Sequence, residues 1–195
     1  MEIIDNKIRA IAVYCGSKVG ARDIYTHAAI ELSDFLIEYG ITLVNGGGSI
    51  GLMGVMADRV LSKNGKAIGV IPYTLKEKEV AHVGMTELIV TPDMHSRKQM
   101  MVNFSDAFIA MPGGFGTLDE LFETLTWAQL HLHRKPIGIF NVNGYFDPLL
   151  AQLEKFMEEG FLSTSARALL YVSDEPLELL KMFNGHKGPT QLKWE

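Results

Sequence analysis

The sequence has one cysteine, no long apolar run and no excess of positive charge, and each absence excludes a class of protein. Cys15 has no partner for an internal disulfide, which favours a reducing compartment. The net charge is -5, so the broad electrostatic attraction that nucleic-acid binding requires is missing. No apolar stretch is long enough to span a membrane. We therefore expect no nucleic-acid partner and no membrane association.

The spacings of metal sites and the pattern of a secretory signal are also missing. No Cys and His residues are spaced as in a structural zinc site, and His131 and His133 are expected at a helix end. The N-terminal segment mixes acidic and apolar residues, whereas a signal has a basic region followed by an apolar run. We expect a cytoplasmic protein that uses neither a metal nor a cofactor.

The composition is that of a globular protein. Hydrophobic residues make up 47% of the chain and charged residues 21%, a balance that can bury a core. At 195 residues one domain is expected, because two independent cores would each be small and marginal. We predict a single domain over residues 1–184 and a polar tail over 185–195.

Short apolar strand patterns alternate with helical patterns along the chain. Strands are predicted at 8–15, 41–45, 66–71, 87–91, 107–111, 136–141 and 169–172. Such alternation implies βαβ units, and hence a Rossmann-like three-layer α/β sandwich with a mostly parallel sheet and helices on both faces. Ligands of these sheets bind at the carboxyl ends of the strands.

Two glycine-rich segments each follow a predicted strand and open a predicted helix. The first is GGGSIG at 46–51 and the second is PGGFGTLDE at 112–120. Free backbone N–H groups at a helix start can hold an anion such as a phosphate. The alternative is that the glycines only make tight turns. Two such loops at one edge of the sheet favour the anion site.

Two common nucleotide-binding motifs do not fit these loops. The first loop satisfies G-x-G-x-x-G, yet it follows the second predicted strand rather than the first. Pro72 and Tyr73 stand where a dinucleotide-binding protein has an acidic ribose ligand. Neither loop is followed by the Lys-Ser or Lys-Thr of a P-loop. A nicotinamide oxidoreductase is therefore a weak alternative.

Charged residues accompany the second loop. Arg97 and Lys98 are predicted at a helix start, which is the wrong end for cations unless an anion lies nearby. Glu120 lies one turn into the helix after the loop, and Thr117 can cap that helix or bind phosphate. Two structural alternatives stay open: Thr117 and Glu120 form a capping box, and the two cations form a solvated surface pair.

With MHSRK at 94–98 in front of PGGFGTLDE at 112–120, the chain resembles the LOG ("lonely guy") family of cytokinin riboside 5′-monophosphate phosphoribohydrolases. The likeness covers nearly the whole chain, through YCGS at 14–17, GGGSIGLMG at 46–54, TWAQL at 126–130, KPIG at 135–138 and NVNGY at 141–145. Many relatives carry the label "lysine decarboxylase-like". The resemblance implies that this label is misleading, and no pyridoxal-phosphate lysine context is visible.

The resemblance implies a role for individual residues. Arg97 and Glu120 are the expected catalytic residues, and the segment 113–117 is expected to hold a 5′-phosphate. Phe115 stands where many relatives have Tyr, which removes a hydroxyl. From the residues alone, Glu79 is a solvated charge, whereas the resemblance makes it a ligand contact. The expected substrate-binding residues are Ser17, Gly47, Gly48, Glu79, Lys98, Gly113, Gly114, Phe115, Gly116, Thr117 and Thr126.

The activity implied by the resemblance is hydrolysis of the N-glycosidic bond of cytokinin riboside 5′-monophosphates, and of AMP, to free base and ribose 5-phosphate. In that role Glu120 would stabilise the oxocarbenium-like sugar and Arg97 the departing adenine. The small-molecule partner is thus a nucleoside monophosphate, and the resemblance also implies a homodimer. Candidates for an apolar base pocket are Met94, Met101, Phe115 and Trp127.

The main alternative is a non-catalytic carrier of a nucleotide or of the molybdenum cofactor. Rossmann-like proteins with similar glycine loops resemble carriers, and fold alone does not establish chemistry. A carrier would not need both Arg97 and Glu120.

Overall fold

The computed structural model describes residues 7–76 and 81–188. Its strands are β1 Ala10–Tyr14, β2 Thr42–Asn45, β3 Ala67–Pro72, β4 Glu87–Thr91, β5 Ala107–Ala110, β6 Ile137–Phe140 and β7 Leu170–Ser173. Its α-helices are α1 Asp23–Glu38, α2 Gly51–Ser62, α3 Tyr73–Lys76, α4 Met94–Asn103, α5 Phe115–Gln129, α6 Asp147–Glu158, α7 Thr164–Arg167 and α8 Pro176–Asn184. A 3₁₀ turn, Val142–Gly144, precedes α6.

The seven strands form one sheet in the order β4-β3-β2-β1-β5-β6-β7, and every pairing is parallel. Ile11 in β1 pairs with Leu43 on one side and with Ala107 on the other. The order of strands therefore reverses between β1 and β5. In open parallel sheets, ligands bind in the crevice that opens at such a reversal.

Both faces of the sheet are covered by helices, because its central strands are apolar on both sides. One buried cluster joins the sheet to α1, α2 and α8 through residues such as Leu32, Met56 and Phe183. A second cluster joins it to α4, α5 and α6 through residues such as Met101 and Leu121. The predicted three-layer architecture is confirmed, and the sheet is entirely parallel within the described part of the chain.

Helix ends follow the predicted glycine signals in one case and depart from them in another. Gly40, at φ 64°, ends α1 in the left-handed conformation, as its position predicts. The same rule predicts that Gly65 ends α2, but Asn64 takes the left-handed conformation there, at φ 59°. Asn tolerates this region because its short polar side chain can bond locally.

The segment between β3 and β4 is partly helical. It contains the single turn of α3, and residues 77–80, including Glu79, lie outside the described residues. The predicted tail at 185–195 is described only as far as residue 188. Within the described ranges, no helix has the length and apolar character needed to cross a membrane.

Candidate active site

The candidate site lies at the carboxyl ends of β1 and β5, where three loops meet. The backbone N–H of Gly16, after β1, donates to the carbonyl of Pro112, after β5, at 3.0 Å. The backbone N–H of Leu52, at the start of α2, donates to the carbonyl of Gly16, also at 3.0 Å. The turn after β1 thus ties the two glycine loops together at one edge of the sheet, as predicted.

A buried ion pair joins α4 to α5 at this edge. Nη1 of Arg97 donates to Oε1 of Glu120 at 2.6 Å, and Nε of Arg97 donates to the carbonyl of Val70 in β3 at 3.0 Å. Each of the two paired residues is only 8% exposed. Burial of two charges is costly unless they are paired and hydrogen bonded, as these are. The interpretation of Arg97 as a solvated surface charge is therefore wrong.

The first glycine loop closes on itself and on its surroundings. The side chain of buried Asn45 donates to the carbonyl of Met53 at 3.2 Å and accepts from the N–H of Gly47 at 2.9 Å. The carbonyl of Gly47 accepts from the N–H of His82 at 2.9 Å. A side chain at Gly46 would overlap Nη2 of Arg97. The first loop therefore packs against Arg97. The N–H of Gly47 donates to Asn45 and is not free to bind a ligand.

The second glycine loop leaves two glycine positions and one buried hydroxyl open. Gly114 is the N-cap of α5 and provides no side-chain cap, and a Cβ added at Gly114 or Gly116 would meet no atom within 4 Å. The hydroxyl of Thr117, a residue 2% exposed, has no hydrogen-bond partner among the described residues. Glu120 binds Arg97 instead of the helix start. The capping-box interpretation is therefore wrong.

The unsatisfied Thr117 hydroxyl is informative because buried polar groups in native structures are nearly always paired. It lies against Gly113, where a Cβ would overlap it and would also approach the N–H of Gly16. The start of the 15-residue helix α5 carries partial positive charge. A buried donor, open backbone groups and a helix dipole together fit an anion such as a phosphate.

A cleft of about 370 Å³ adjoins this loop on the side of α1. Its polar lining includes Ser17 and Lys18, and Tyr25 and Tyr145 supply aromatic walls. The hydroxyl of Tyr145 donates to the carbonyl of Gly113 at 2.7 Å, and the two tyrosine rings meet edge to face. The predicted residues Ser17, Gly113 and Gly114 therefore share one cleft.

Lys98 points to α5 rather than to solvent. Its Nζ lies 3.0 Å from Oε2 of Glu123 and 3.2 Å from Oδ2 of Asp119. Burial lowers the pKa of Lys98, but the hydrogen bonds to Glu123 and Asp119 outweigh burial and raise it overall. The ammonium is therefore charged across the working pH range.

Hydrogen bonds also fix the backbone beneath Glu120. The hydroxyl of Thr124 donates to the carbonyl of Glu120 at 2.7 Å, and lies 2.9 Å from the hydroxyl of Tyr14. Burial raises the pKa of Tyr14, so the phenol is neutral. Burial likewise raises the pKa of Glu120, while Arg97 acts in the opposite direction.

Other predicted residues lie apart from the ion pair. Thr126 donates to the carbonyl of Phe122 and lines a separate apolar groove beside α6 and α7. Phe115 is 95% exposed at the mouth of the site, whereas Met101 is fully buried and packs in the core.

Within residues 7–76 and 81–188, no three His, Cys, Asp or Glu side chains are grouped as a metal would require.

Sequence reasoning assigned no supporting role to four residues that hold the site in place: Tyr14, Asn45, Gly46 and Thr124. A signal existed for Asn45, a polar residue that closes an apolar strand immediately before a glycine run. No local signal marked Thr124, because its role depends on β1 packing against α5.

Comparisons with known proteins show the family of this chain. A family model described as "possible lysine decarboxylase" matches residues 53–183. A probable cytokinin riboside 5′-monophosphate phosphoribohydrolase from Oryza sativa subsp. japonica is 43% identical over 99% of this chain and 81% of its own length. A cytokinin riboside 5′-monophosphate phosphoribohydrolase from Arabidopsis thaliana is 44% identical over 98% of this chain and 92% of its own length. The chain belongs to the LOG family.

Solved structures show how widely the fold of this LOG-family chain is shared. The molybdenum cofactor binding protein from Rippkaea orientalis has a TM-score of 0.68 and 21% identity, covering 91% of this chain and 96% of that protein. The Moco carrier protein from Chlamydomonas reinhardtii has a TM-score of 0.67 and 20% identity, covering 91% and 98%. At this identity the likeness shows a common fold alone.

Proposed function

We propose that this LOG-family protein hydrolyses the N-glycosidic bond of a nucleoside 5′-monophosphate, releasing the free base and ribose 5-phosphate. The observation that carries the proposal is the buried Arg97–Glu120 pair, one helical turn from an open anion site at the start of α5. The names of the 43–44% identical relatives supply the substrate class, cytokinin riboside 5′-monophosphates. AMP has the same reacting bond and is included.

The 5′-phosphate binds at the second glycine loop. Backbone N–H groups at 113–117 and the Thr117 hydroxyl donate to it, and the dipole of α5 favours its charge. Binding there fixes the ribose as well, because the phosphate is covalently attached to it. Phosphate binding therefore selects the monophosphate as substrate, and the riboside is cleaved much more slowly.

Glu120 stabilises the sugar in the transition state. It lies three residues beyond Thr117, about 4.5 Å along the helix axis, which is roughly the step from a bound phosphate to the ribose. Cleavage gives the sugar oxocarbenium character, so a carboxylate near the anomeric carbon acts on charge that develops during the reaction. Water adds to that carbon and completes hydrolysis.

Arg97 offsets the negative charge of the departing base. Its bonds to Glu120 and Val70 use two of the five N–H donors of the guanidinium and hold it rigidly. Gly46 lets Nη2 lie against the backbone of the first loop. A donor fixed before reaction stabilises the leaving group without reorganising.

The test is incubation of the protein with AMP, isopentenyladenosine monophosphate and the corresponding ribosides, followed by chromatography for base and ribose 5-phosphate. We expect cleavage of the monophosphates only, and at least a roughly hundredfold loss of kcat in Arg97→Ala and Glu120→Gln. Tyr171→Phe, a part-buried change on β7 away from the loops, is the matched control.

Two outcomes would count against the proposal. Base release that persists unchanged in both variants would remove the residue assignment. No release by the wild-type protein, together with retained nucleotide binding, would favour a carrier.

We also propose that a second copy of the chain covers the face formed by α5, α6 and α7. An apolar groove of about 170 Å³ on this face is lined by half-buried Phe122, Leu125, Phe156 and Leu162. Only Leu153 of α6 is fully buried, although the helix is amphipathic. A homodimer of this kind, and the cytoplasmic location, remain predictions; light scattering after gel filtration tests the former.

A further inference from the structure

Lys98 is adjacent to a catalytic candidate, yet its charged group meets protein rather than an open cavity. Its side chain is 11% exposed, and its ammonium bridges Asp119 and Glu123, one residue before and three residues after Glu120 on α5. Consecutive cations on α4, Arg97 and Lys98, therefore face three carboxylates within five positions of α5.

Those three carboxylates would repel one another without the lysine. Like charges three or four residues apart on a helix destabilise each other, and a neighbouring anion makes a carboxyl group harder to ionise. Arg97 is bound to Glu120 and to Val70. The positive charge that neutralises Asp119 and Glu123 therefore comes from Lys98. The bridge also ties α4 to α5 beside the Arg97–Glu120 bond.

We propose that Lys98 is a positioning residue for the reaction: its ammonium neutralises Asp119 and Glu123, and so keeps Glu120 ionised and paired with Arg97. This inference rests on the proposed function, in which an ionised Glu120 stabilises the sugar. It assigns Lys98 no direct contact with the substrate, in contrast to the contact that the family resemblance implies.

The direction of the effect follows from the groups around Glu120. Burial raises the pKa of Glu120, Arg97 lowers it, Asp119 raises it and Lys98 lowers it. From β1, Tyr14 and Cys15 face the same region and are neutral, since burial raises the pKa of both. Removal of Lys98 takes away a nearby cation and leaves the charges of Asp119 and Glu123 without a counter-charge. Both changes raise the pKa of Glu120. As the pH falls, Glu120 is therefore protonated earlier, and activity is lost at a higher pH than in the wild type.

The experiment compares kcat/KM across pH for wild type, Lys98→Gln, Lys98→Arg and Asp119→Asn. In Lys98→Gln, the ratio of kcat/KM at about pH 7.5 to that at about pH 5.5 rises roughly two- to threefold, because the attraction between the ammonium and the ionised Glu120 is lost. Lys98→Arg restores the wild-type ratio. Asp119→Asn removes an anion and lowers the pKa of Glu120. The acid limb of the pH profile, where kcat/KM falls with pH, then moves to lower pH.

A second readout does not depend on turnover. Carbon-13 NMR of glutamate-labelled protein gives the titration of the Glu120 carboxyl, identified by its absence in Glu120→Gln. The Glu120 titration should move upward in Lys98→Gln and downward in Asp119→Asn. If these shifts occur in a protein that releases no base, the electrostatic role of Lys98 stands and the proposed function fails.

Three results would overturn the inference. One is a raised KM with an unmoved acid limb in Lys98→Gln, which would indicate direct substrate contact. Another is loss of stability with an unmoved Glu120 titration, which would indicate a purely structural bridge. The third is a shift of the same sign in Lys98→Gln and Asp119→Asn.

Discussion

The two glycine loops look alike in sequence, but the protein uses them differently. In the first loop, the N–H and carbonyl of Gly47 are both hydrogen bonded, and Gly46 packs against Arg97. In the second loop, Gly114 and Gly116 face open space and the Thr117 hydroxyl is unsatisfied. Glycine in the first loop makes room for protein atoms. We infer that the second loop is left open for a ligand.

The largest effect that separates the loops is expected from Gly46→Ala. The new methyl group would overlap Nη2 of Arg97 and crowd the sulfur of Met53, and both are side-chain atoms rather than backbone atoms. The fold therefore persists while Arg97 moves, and a displacement of about 1 Å costs roughly a hundredfold in kcat. Steady-state kinetics and thermal unfolding measure the two effects. Wild-type activity in Gly46→Ala would show that the first loop does not position Arg97.

A smaller effect is expected from Thr117→Val, with Thr124→Val as its matched control. Both threonines are 2% exposed on α5, but among the described residues Thr124 has hydrogen-bond partners and the Thr117 hydroxyl has none. Loss of an unpaired hydroxyl leaves stability unchanged or higher, whereas Thr124→Val costs about 1–3 kcal/mol of unfolding free energy. Thr117→Val instead raises KM for the monophosphate roughly tenfold, through one lost charge-assisted bond.

Denaturant unfolding and kinetics on both variants check this second prediction. A Thr117→Val protein that is destabilised as much as Thr124→Val, with unchanged KM, would show that the Thr117 hydroxyl has a structural partner instead.

The smallest effect is expected from Gly116→Ala in the second loop. This position lies in the first turn of α5 and meets no atom within 4 Å, so Ala is accommodated and favours the helix. The free energy of unfolding should rise by about 0.5–1 kcal/mol. Calorimetry measures the rise, and kinetics should show a change in kcat/KM of less than about threefold, because alanine keeps the backbone N–H at this position.

Much of the fold was predictable because its signals are local. Glycine positions, apolar strands and helical periods placed every strand within about two residues of its final position. The prediction failed at the end of α2, where Asn64 and not the neighbouring Gly65 takes the left-handed conformation. The choice between a capping box and an ion pair for Glu120 was not local, since it depended on where α4 lies.

The alternation of strands and helices, the two glycine loops at one edge and the membership of the family are all visible in the amino-acid sequence. Tertiary packing brings Arg97 to Glu120, 23 positions away, and closes the first loop while the second stays open. Backbone conformation responds to residues a few positions apart, whereas side-chain partners and burial depend on how separate helices pack on the sheet.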